Sequence, residues 1–175
     1  MKPVVKHTDG FKIRISQLPT GLHEYHFSSE PREIGLESNF RGRVEVYAGV
    51  DKLPRQLYVK ARIRTSGLFN CDRCVEEFEH SLEASYSMFY VYDDAEGAKF
   101  PTEEVQVISP DAVCIDLAED VSQVVTLSVP LKLLCREDCK GLCPRCGTNW
   151  NRKPCNCSAE GMDPRWNNLE QLLNK

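Results

Sequence analysis

The chain has 175 residues, a net charge of −4 and 41% hydrophobic residues, which predicts one globular domain with a sizeable core, alone or with a small module. This charge argues against a protein that coats nucleic acid without sequence preference. The longest apolar stretch, VVTLSVPLKLL, is too short and too polar to span a bilayer, and the opening MKPVVKHTDG lacks the apolar region of a secretory signal. We therefore expect a cytoplasmic protein with reduced thiols and no membrane partner.

The first two thirds of the chain alternate apolar and charged residues with a period of two, the pattern of half-buried antiparallel strands. The pattern runs through FKIRI, RVEVY, QLYVKARIR and residues 77–92. Turns between these strands are predicted at Gly10, at the Gly-Val-Asp of residues 49–51 and at Gly67.

Two helices are predicted after the strands. The first begins at Asp116, whose capping-box partner is Glu119, and it ends at Pro130. The second has Asp163 as its cap and Pro164 at its first position. Its apolar stripe is formed by Trp166, Leu169, Leu172 and Leu173.

These elements, together with four close pairs of cysteines of the kind that bind zinc, predict an α+β protein with an antiparallel, barrel-like β-sheet, a crossing helix and a Cys-rich, zinc-binding C-terminal segment. We divide the chain into a β-rich domain over 1–130 that carries the first Cys-x-x-Cys, a Cys-rich zinc module over 131–160, and a C-terminal helix over 161–175.

Eight of the nine cysteines fall into four close pairs. The pairs are Cys71/Cys74, Cys135/Cys139, Cys143/Cys146 and Cys155/Cys157. Four pairs of thiolates make two tetrahedral sites, so we predict two zinc ions with four cysteine ligands each. A disulfide framework would need an oxidising compartment, which nothing in the sequence indicates. Cys114 stands alone and is predicted to be a small buried hydrophobic residue.

The spacing leaves two ways to share the pairs between two ions. In the first, Cys143 and Cys146, followed by a turn-forming Gly147, close a compact site with the last pair, and the first pair joins the second. In the second, the two middle pairs form one site and the outer pairs form the other. A redox role for the first Cys-x-x-Cys is disfavoured because that pair follows a strand rather than opening a helix, where a thiol pKa is lowered.

Charge is distributed unevenly along the chain. Residues 76–104 contain nine acidic residues and one Lys, a local net charge of −8, whereas residues 132–153 contain six basic and two acidic residues, a local net charge of +4. Both could be ordinary solvated surfaces. A functional interpretation places an anionic partner on the cysteine segment.

No phosphate loop, dinucleotide fingerprint or nucleophile elbow is present, so we predict no catalytic residues and no enzymatic activity.

The motif FNCDRCVEEF, followed downstream by VPLKLLCREDCKGLCPRCGTNWNRKPCNC and DPRWNNLEQL, resembles the bacterial YceD family. The resemblance covers most of the chain and is most specific around the cysteines. Where this chain has Asn149-Trp150-Asn151, the family pattern has Asn-Leu-Asn. Members that lack the last cysteine quartet imply two separate metal sites, with Cys143, Cys146, Cys155 and Cys157 forming the dispensable one.

The resemblance implies a non-catalytic role in large ribosomal subunit biogenesis that supports 23S rRNA accumulation, because the family is described in those terms. Bacterial members typically neighbour a gene for a large-subunit ribosomal protein. We expect the partner to be 23S rRNA or its precursor, bound by the basic zinc module with basic side chains at the phosphates and an indole on a base. The candidate RNA-binding residues are Arg136, Lys140, Arg145, Trp150, Arg152 and Lys153. The alternative is an escort whose acidic segment, 76–104, binds a basic ribosomal protein.

Overall fold

A computed structural model describes residues 10–157 of the chain. Seven strands are present, at Lys12–Arg14 (β1), Gly21–Ser29 (β2), Val44–Lys52 (β3), Gln56–Asn70 (β4), Glu77–Val91 (β5), Val105–Val107 (β6) and Cys114–Asp116 (β7). Two α-helices lie at Asp94–Gly97 (α1) and Ala118–Leu127 (α2), and short 3-10 helices lie at Pro31–Ile34 and Thr102–Glu104. Among these described residues, no helix is long and apolar enough to cross a membrane.

The main sheet has five strands in the order β2-β3-β4-β5-β6, antiparallel except for the parallel pair of β5 with β6. β1 pairs with β7 in a separate two-stranded sheet. The α+β class is therefore as predicted, but the barrel-like closure is wrong. Because β1 pairs with β7 rather than with either end of the large sheet, β2 and β6 remain edges and the sheet stays open.

One face of the large sheet carries the core, which the small sheet and α2 cover. The buried residues of this core include Phe27, Val46, Val59 and Ile63 from the large sheet, Ile13 and Ile115 from the small one, and Val121 and Val125 from α2. The predicted helix is thus present, but its N-cap is Leu117, so the predicted capping box of Asp116 and Glu119 is wrong. Asp116 lies one residue earlier, in β7, and its carboxylate accepts a hydrogen bond from the Ala118 N–H at 3.0 Å.

The turns predicted at residues 49–51 and at Gly67 are wrong, because both places lie inside continuous strands. Residues 49–51 lie inside β3, and Gly67 lies inside β4. A Cβ at Gly67 would come within 2.8 Å of the Asn39 carbonyl oxygen, which accepts a hydrogen bond from the Leu68 N–H, so this glycine marks a close approach of two backbones.

The predicted C-terminal helix over 161–175 lies outside the described residues. The division of the chain at residue 130 stays a prediction.

Candidate metal centres

Two clusters of four cysteines form in the structure. The first comprises Cys71, Cys74, Cys135 and Cys139, and the second comprises Cys143, Cys146, Cys155 and Cys157. In each cluster all four sulfur atoms lie within 4.8 Å of one another, so each is positioned to hold a metal ion. The grouping matches the first of the two partitions that the spacing left open, and none of these cysteines forms a disulfide.

The sulfur–sulfur distances in the first cluster test whether a metal would fit. A tetrahedral ion with metal–sulfur bonds of about 2.3 Å separates its ligands by about 3.8 Å. Cys71 Sγ lies 3.8 Å from Cys139 Sγ, and Cys74 Sγ lies 3.7 Å from Cys135 Sγ. The cluster therefore has the dimensions of a four-thiolate zinc site, whereas a disulfide would place two sulfur atoms about 2.05 Å apart.

The first site joins the large sheet to the cysteine segment. Cys71 and Cys74 lie in the turn between β4 and β5, and the other two ligands follow α2. Arg73 fastens the turn to that segment, since its Nη1 donates to the carbonyl oxygens of Glu137 at 3.2 Å and Cys139 at 2.8 Å. No sequence pattern indicates this role of Arg73, because both acceptors are backbone atoms more than sixty residues away.

The Asp72 side chain adds a second fastening point. Its carboxylate accepts a hydrogen bond from the Leu133 N–H at 2.6 Å, while the Asp72 N–H donates to the Leu133 carbonyl at 2.8 Å. Both residues between Cys71 and Cys74 therefore hold the turn against the segment that supplies the other two ligands.

The two Cys-x-x-Cys turns share one hydrogen-bonding pattern. The N–H of the residue after the second cysteine donates to the carbonyl of the first: Val75 to Cys71 at 2.8 Å, and Gly147 to Cys143 at 2.9 Å. Both residues have positive φ, 59° at Val75 and 70° at Gly147. This conformation suits glycine but strains a β-branched side chain, so the first turn contains local backbone strain that the second avoids.

Residues 149–151 connect the two sites. Trp150 Nε1 donates to Cys155 Sγ at 3.3 Å, and Asn151 Nδ2 donates to Cys139 Sγ at 3.3 Å. The Asn151 side-chain oxygen accepts from Arg136 Nη2 and from the Lys140 N–H, each at 2.8 Å. Hydrogen bonds to ligand sulfur orient a ligand and stabilise its negative charge. The Asn-Trp-Asn motif was visible in the sequence, but its contacts with sulfur depend on the fold.

The thiols within each cluster differ in acidity. Burial raises the pKa of Cys71, but backbone N–H groups of Cys135, Cys74 and Arg73 outweigh it and lower the pKa to about 6. Burial and the neighbouring thiols raise the pKa of Cys135 to about 12. The four thiols of the first cluster therefore do not all ionise readily without a cation. A bound metal ion would stabilise the four thiolates together.

The second cluster shows the same division. Hydrogen bonds from the Thr148 side chain and backbone lower the pKa of Cys146 to about 6. Cys146 and then burial raise the pKa of Cys157 to about 12.

The two sites differ in exposure. Three ligands of the first site are 1–3% exposed, whereas Cys146 and Cys157 of the second are at the surface. Cys114 was predicted to be buried, and this is wrong. In β7 the side chain of Ile115 enters the core, so strand alternation turns Cys114 to the exposed side.

The predicted RNA-binding residues are exposed on the cysteine segment, but two of them form ion pairs. Arg136 pairs with Asp138 at 3.3 Å, and Arg152 pairs with Glu76. Lys140 and Lys153 form no ion pair with any described residue. Trp150 is 40% exposed, and its indole N–H is occupied by sulfur. Arg145 is exposed beside Cys146.

A protein-family model matches more than half of the chain. That model, Large ribosomal RNA subunit accumulation protein YceD, matches residues 59–173, which include all eight paired cysteines. The chain is a member of the YceD family.

Individual relatives are distant. An uncharacterized protein of Mycobacterium tuberculosis is 27% identical over 91% of this chain and 78% of its own length. The Large ribosomal RNA subunit accumulation protein YCED homolog 1, chloroplastic, of Arabidopsis thaliana is 24% identical over 75% of this chain and 50% of its own length. YlbN of Bacillus subtilis is 25% identical over 91% of this chain and 93% of its own length. No solved structure shows a significant match to the chain.

Proposed function

We propose that this protein is a non-catalytic, cytoplasmic factor in biogenesis of the large ribosomal subunit. In this proposal it supports accumulation of 23S rRNA by binding the rRNA or its precursor through the basic cysteine segment. Membership of the YceD family, and the name of its Arabidopsis relative, support the link to large-subunit rRNA.

The metal in this proposal is structural zinc, one ion in each cluster. Four thiolates fill the tetrahedral coordination that zinc takes in structural sites, whereas a catalytic zinc keeps one position open for water or substrate. Two clusters with four cysteines each therefore support a folding role for the metal and not a chemical one.

The observation that carries RNA binding is the pair of lysines without ion-pair partners among the described residues. Lys140 follows a ligand of the first site, and Lys153 precedes the last pair of the second. Because the metal sites would fix the backbone on either side, these ammonium groups would be presented to phosphate with little loss of backbone entropy. Arg136 and Arg152 would exchange a carboxylate for phosphate, so we expect them to contribute less.

The test compares Lys140→Glu/Lys153→Glu with a matched control, Arg14→Glu/Arg32→Glu, which reverses two exposed charges that form no ion pair with a described residue. Binding to transcribed 23S rRNA fragments is measured at several salt concentrations, with zinc content and circular dichroism confirming the fold. Loss of two phosphate contacts should reduce the slope of log K against log salt by roughly 1.4–1.8. Unchanged binding by the lysine variant would refute the proposed interface.

The rival partner is a basic ribosomal protein at the acidic segment 76–104. Glu77 and Glu79 are exposed on β5 and favour it, although Glu83 pairs with Arg64 at 3.0 Å and Glu96 pairs with Lys99 at 2.8 Å. Ultraviolet crosslinking in growing cells separates the two. Crosslinks to 23S sequence would support the proposal, and a clean protein that instead binds purified ribosomal proteins would favour the rival.

A further inference from the structure

Among residues 10–157, no element packs over the middle of the outer face of four strands of the large sheet, opposite the core. Neither α2 nor the small sheet covers it, because both pack on the core face. A hollow of about 840 Å³ lies on this outer face, with Tyr47, Gly49, Lys60 and Arg62 among the residues that line it. Four strands about 4.8 Å apart make the face roughly 14 Å wide.

Aromatic rings occupy two places on this outer face. At the first, His26 stacks on Tyr47 with ring centroids 4.4 Å apart and planes 11° apart, and His26 Nε2 lies 2.7 Å from Glu45 Oε2. Tyr47 nevertheless remains 49% exposed. The first ring pair is therefore held in place while keeping a planar surface open to a ligand.

The second aromatic group lies four residues further along the paired strands, at Tyr58, which is opposite Asp51 and not Tyr47. Tyr58 contacts Phe89 at a centroid distance of 4.6 Å, and Phe89 stacks on Phe100 at 4.2 Å. The register sets Asp51 opposite Tyr58 and Gly49 opposite Lys60, so the small glycine opens the floor between the two aromatic groups.

Two cations lie near the aromatic groups: Lys60 is in the row between them, and Arg62 is directly opposite Tyr47. Lys60 and Arg62 alternate with core residues along β4, about 7 Å apart by strand geometry. Neither forms an ion pair with a described residue, whereas the next cation on this face, Arg64, pairs with Glu83. The carboxylates of Glu24 and Asp51 also line the hollow.

We infer that this outer face binds a single-stranded segment of RNA, with bases on Tyr47 and Tyr58 and phosphates at Lys60 and Arg62. The inference rests on the proposed function for RNA as the ligand and adds a second contact surface to the cysteine segment. Four-stranded sheets can stack two or three bases on aromatic side chains in this manner. Stacking tolerates any base, since every base has a planar π-face.

The same surface disfavours other ligands. A duplex keeps its bases stacked and could not use the exposed ring of Tyr47, whereas unpaired bases can stack on it and have amino groups that can donate hydrogen bonds to Glu24 and Asp51. A basic ribosomal protein would meet Lys60 and Arg62, which form no ion pair with a described residue, and is better matched by the acidic segment.

The test measures binding of the full-length, zinc-loaded chain to a labelled, unstructured RNA of about 12 nucleotides, a length within the range that single-strand binding sites cover. The variant Tyr47→Leu should weaken binding at least about fivefold without altering the salt slope, because it removes stacking and no charge. The variant Lys60→Glu/Arg62→Glu should lower the slope by about 1.4. The matched control is Arg14→Glu/Arg32→Glu, which makes the same charge change at two exposed residues away from the outer face.

The outcomes separate this inference from the proposed function. Wild-type RNA affinity in both outer-face variants, together with weakened binding in Lys140→Glu/Lys153→Glu, would overturn the inference and leave the proposed function intact. Wild-type affinity in all three variants would overturn both. Outer-face variants that keep RNA affinity but lose a purified ribosomal protein would assign the surface to a protein partner and overturn the inference.

Discussion

The strained residue of the first cysteine turn offers a test by reciprocal exchange with the second. Val75 and Gly147 occupy equivalent places, each donating its N–H to the carbonyl of the first cysteine of its turn. Their φ angles are 59° and 70°. Exchanging the two residue types should therefore move stability in opposite directions.

The magnitudes follow from exposure and space. A non-glycine residue in this conformation costs about 1–3 kcal/mol. In Val75→Gly, relief of backbone strain should stabilise the folded state by about 2 kcal/mol. The greater flexibility of glycine in the unfolded chain offsets about 0.7 kcal/mol of this gain. Loss of the buried part of the Val75 side chain offsets a similar amount, which is small because Val75 is 65% exposed. The expected net gain is about 0.5 kcal/mol, or roughly 1–2 °C in the unfolding midpoint.

The reverse change should cost more. A Cβ at Gly147 meets nothing within 4 Å, so Gly147→Val adds strain without a clash. Strain of about 2 kcal/mol, offset by about 0.7 from a less flexible unfolded chain, leaves a loss of roughly 1.3 kcal/mol. This corresponds to roughly 3–5 °C, with faster loss of zinc from the second site.

The assay is calorimetric unfolding of zinc-loaded protein, together with zinc release to a chromogenic chelator. Val75→Ala is the discriminating control, because alanine keeps a Cβ at positive φ and so retains most of the strain. An equal gain in Val75→Ala would assign the effect to removal of an exposed apolar side chain. Destabilisation by Val75→Gly, or a Gly147→Val protein as stable as wild type, would refute the strain argument.

Three further predictions follow from individual contacts. Cys71→Ser/Cys74→Ser should reduce bound zinc from two ions to one and lower solubility, whereas Cys114→Ser should keep both; full zinc retention in the double variant, by elemental analysis, would remove the two-site proposal. Trp150→Phe keeps an aromatic ring but loses its hydrogen bond to sulfur, so zinc release should accelerate about fivefold for a loss of about 1 kcal/mol, and an unchanged rate would contradict this. Burial, and then the nearby carboxylates, raise the pKa of Asp120 despite a hydrogen bond from a tyrosine hydroxyl. Its ionised form therefore opposes folding at neutral pH, and Asp120→Asn should raise the unfolding midpoint at pH 7, with a benefit that shrinks as the pH falls toward 4.

Local patterns predicted most of the secondary structure and the cysteine clusters. Alternation identifies β4 because residues 58, 60 and 62, which point outward, separate its core residues 57, 59, 61 and 63. The helix after Asp116 follows from its apolar face, which buries Val121 and Val125. Close cysteine pairs predict ligands because few residues separate the two thiols of each pair. These signals depend on neighbours in sequence, so the chain alone contains them.

Long-range geometry is what the sequence did not contain. Whether the sheet closes depends on the partner of β1, and that partner, β7, lies about a hundred residues downstream. The support of the first site by Arg73 and Asn151 depends on side chains reaching sulfur or carbonyl groups across the fold. Cys114 shows the same dependence at short range, since an apolar neighbourhood did not reveal which of three adjacent residues would enter the core.

The two cysteine clusters close chain loops of very different length, and residues 149–151 connect them. The second site closes within fifteen residues, from Cys143 to Cys157. The entropic cost of closing this loop is therefore small, and the site can form locally. The first site must bring Cys71 to Cys139, 68 residues apart, and so depends on the completed sheet. Asn151 donates to a first-site sulfur and its neighbour Trp150 donates to a second-site sulfur. Ordering of the local site therefore places one of the hydrogen-bond donors that the long-range site needs, which gives an exposed, separable site a structural reason to be retained beside a buried one.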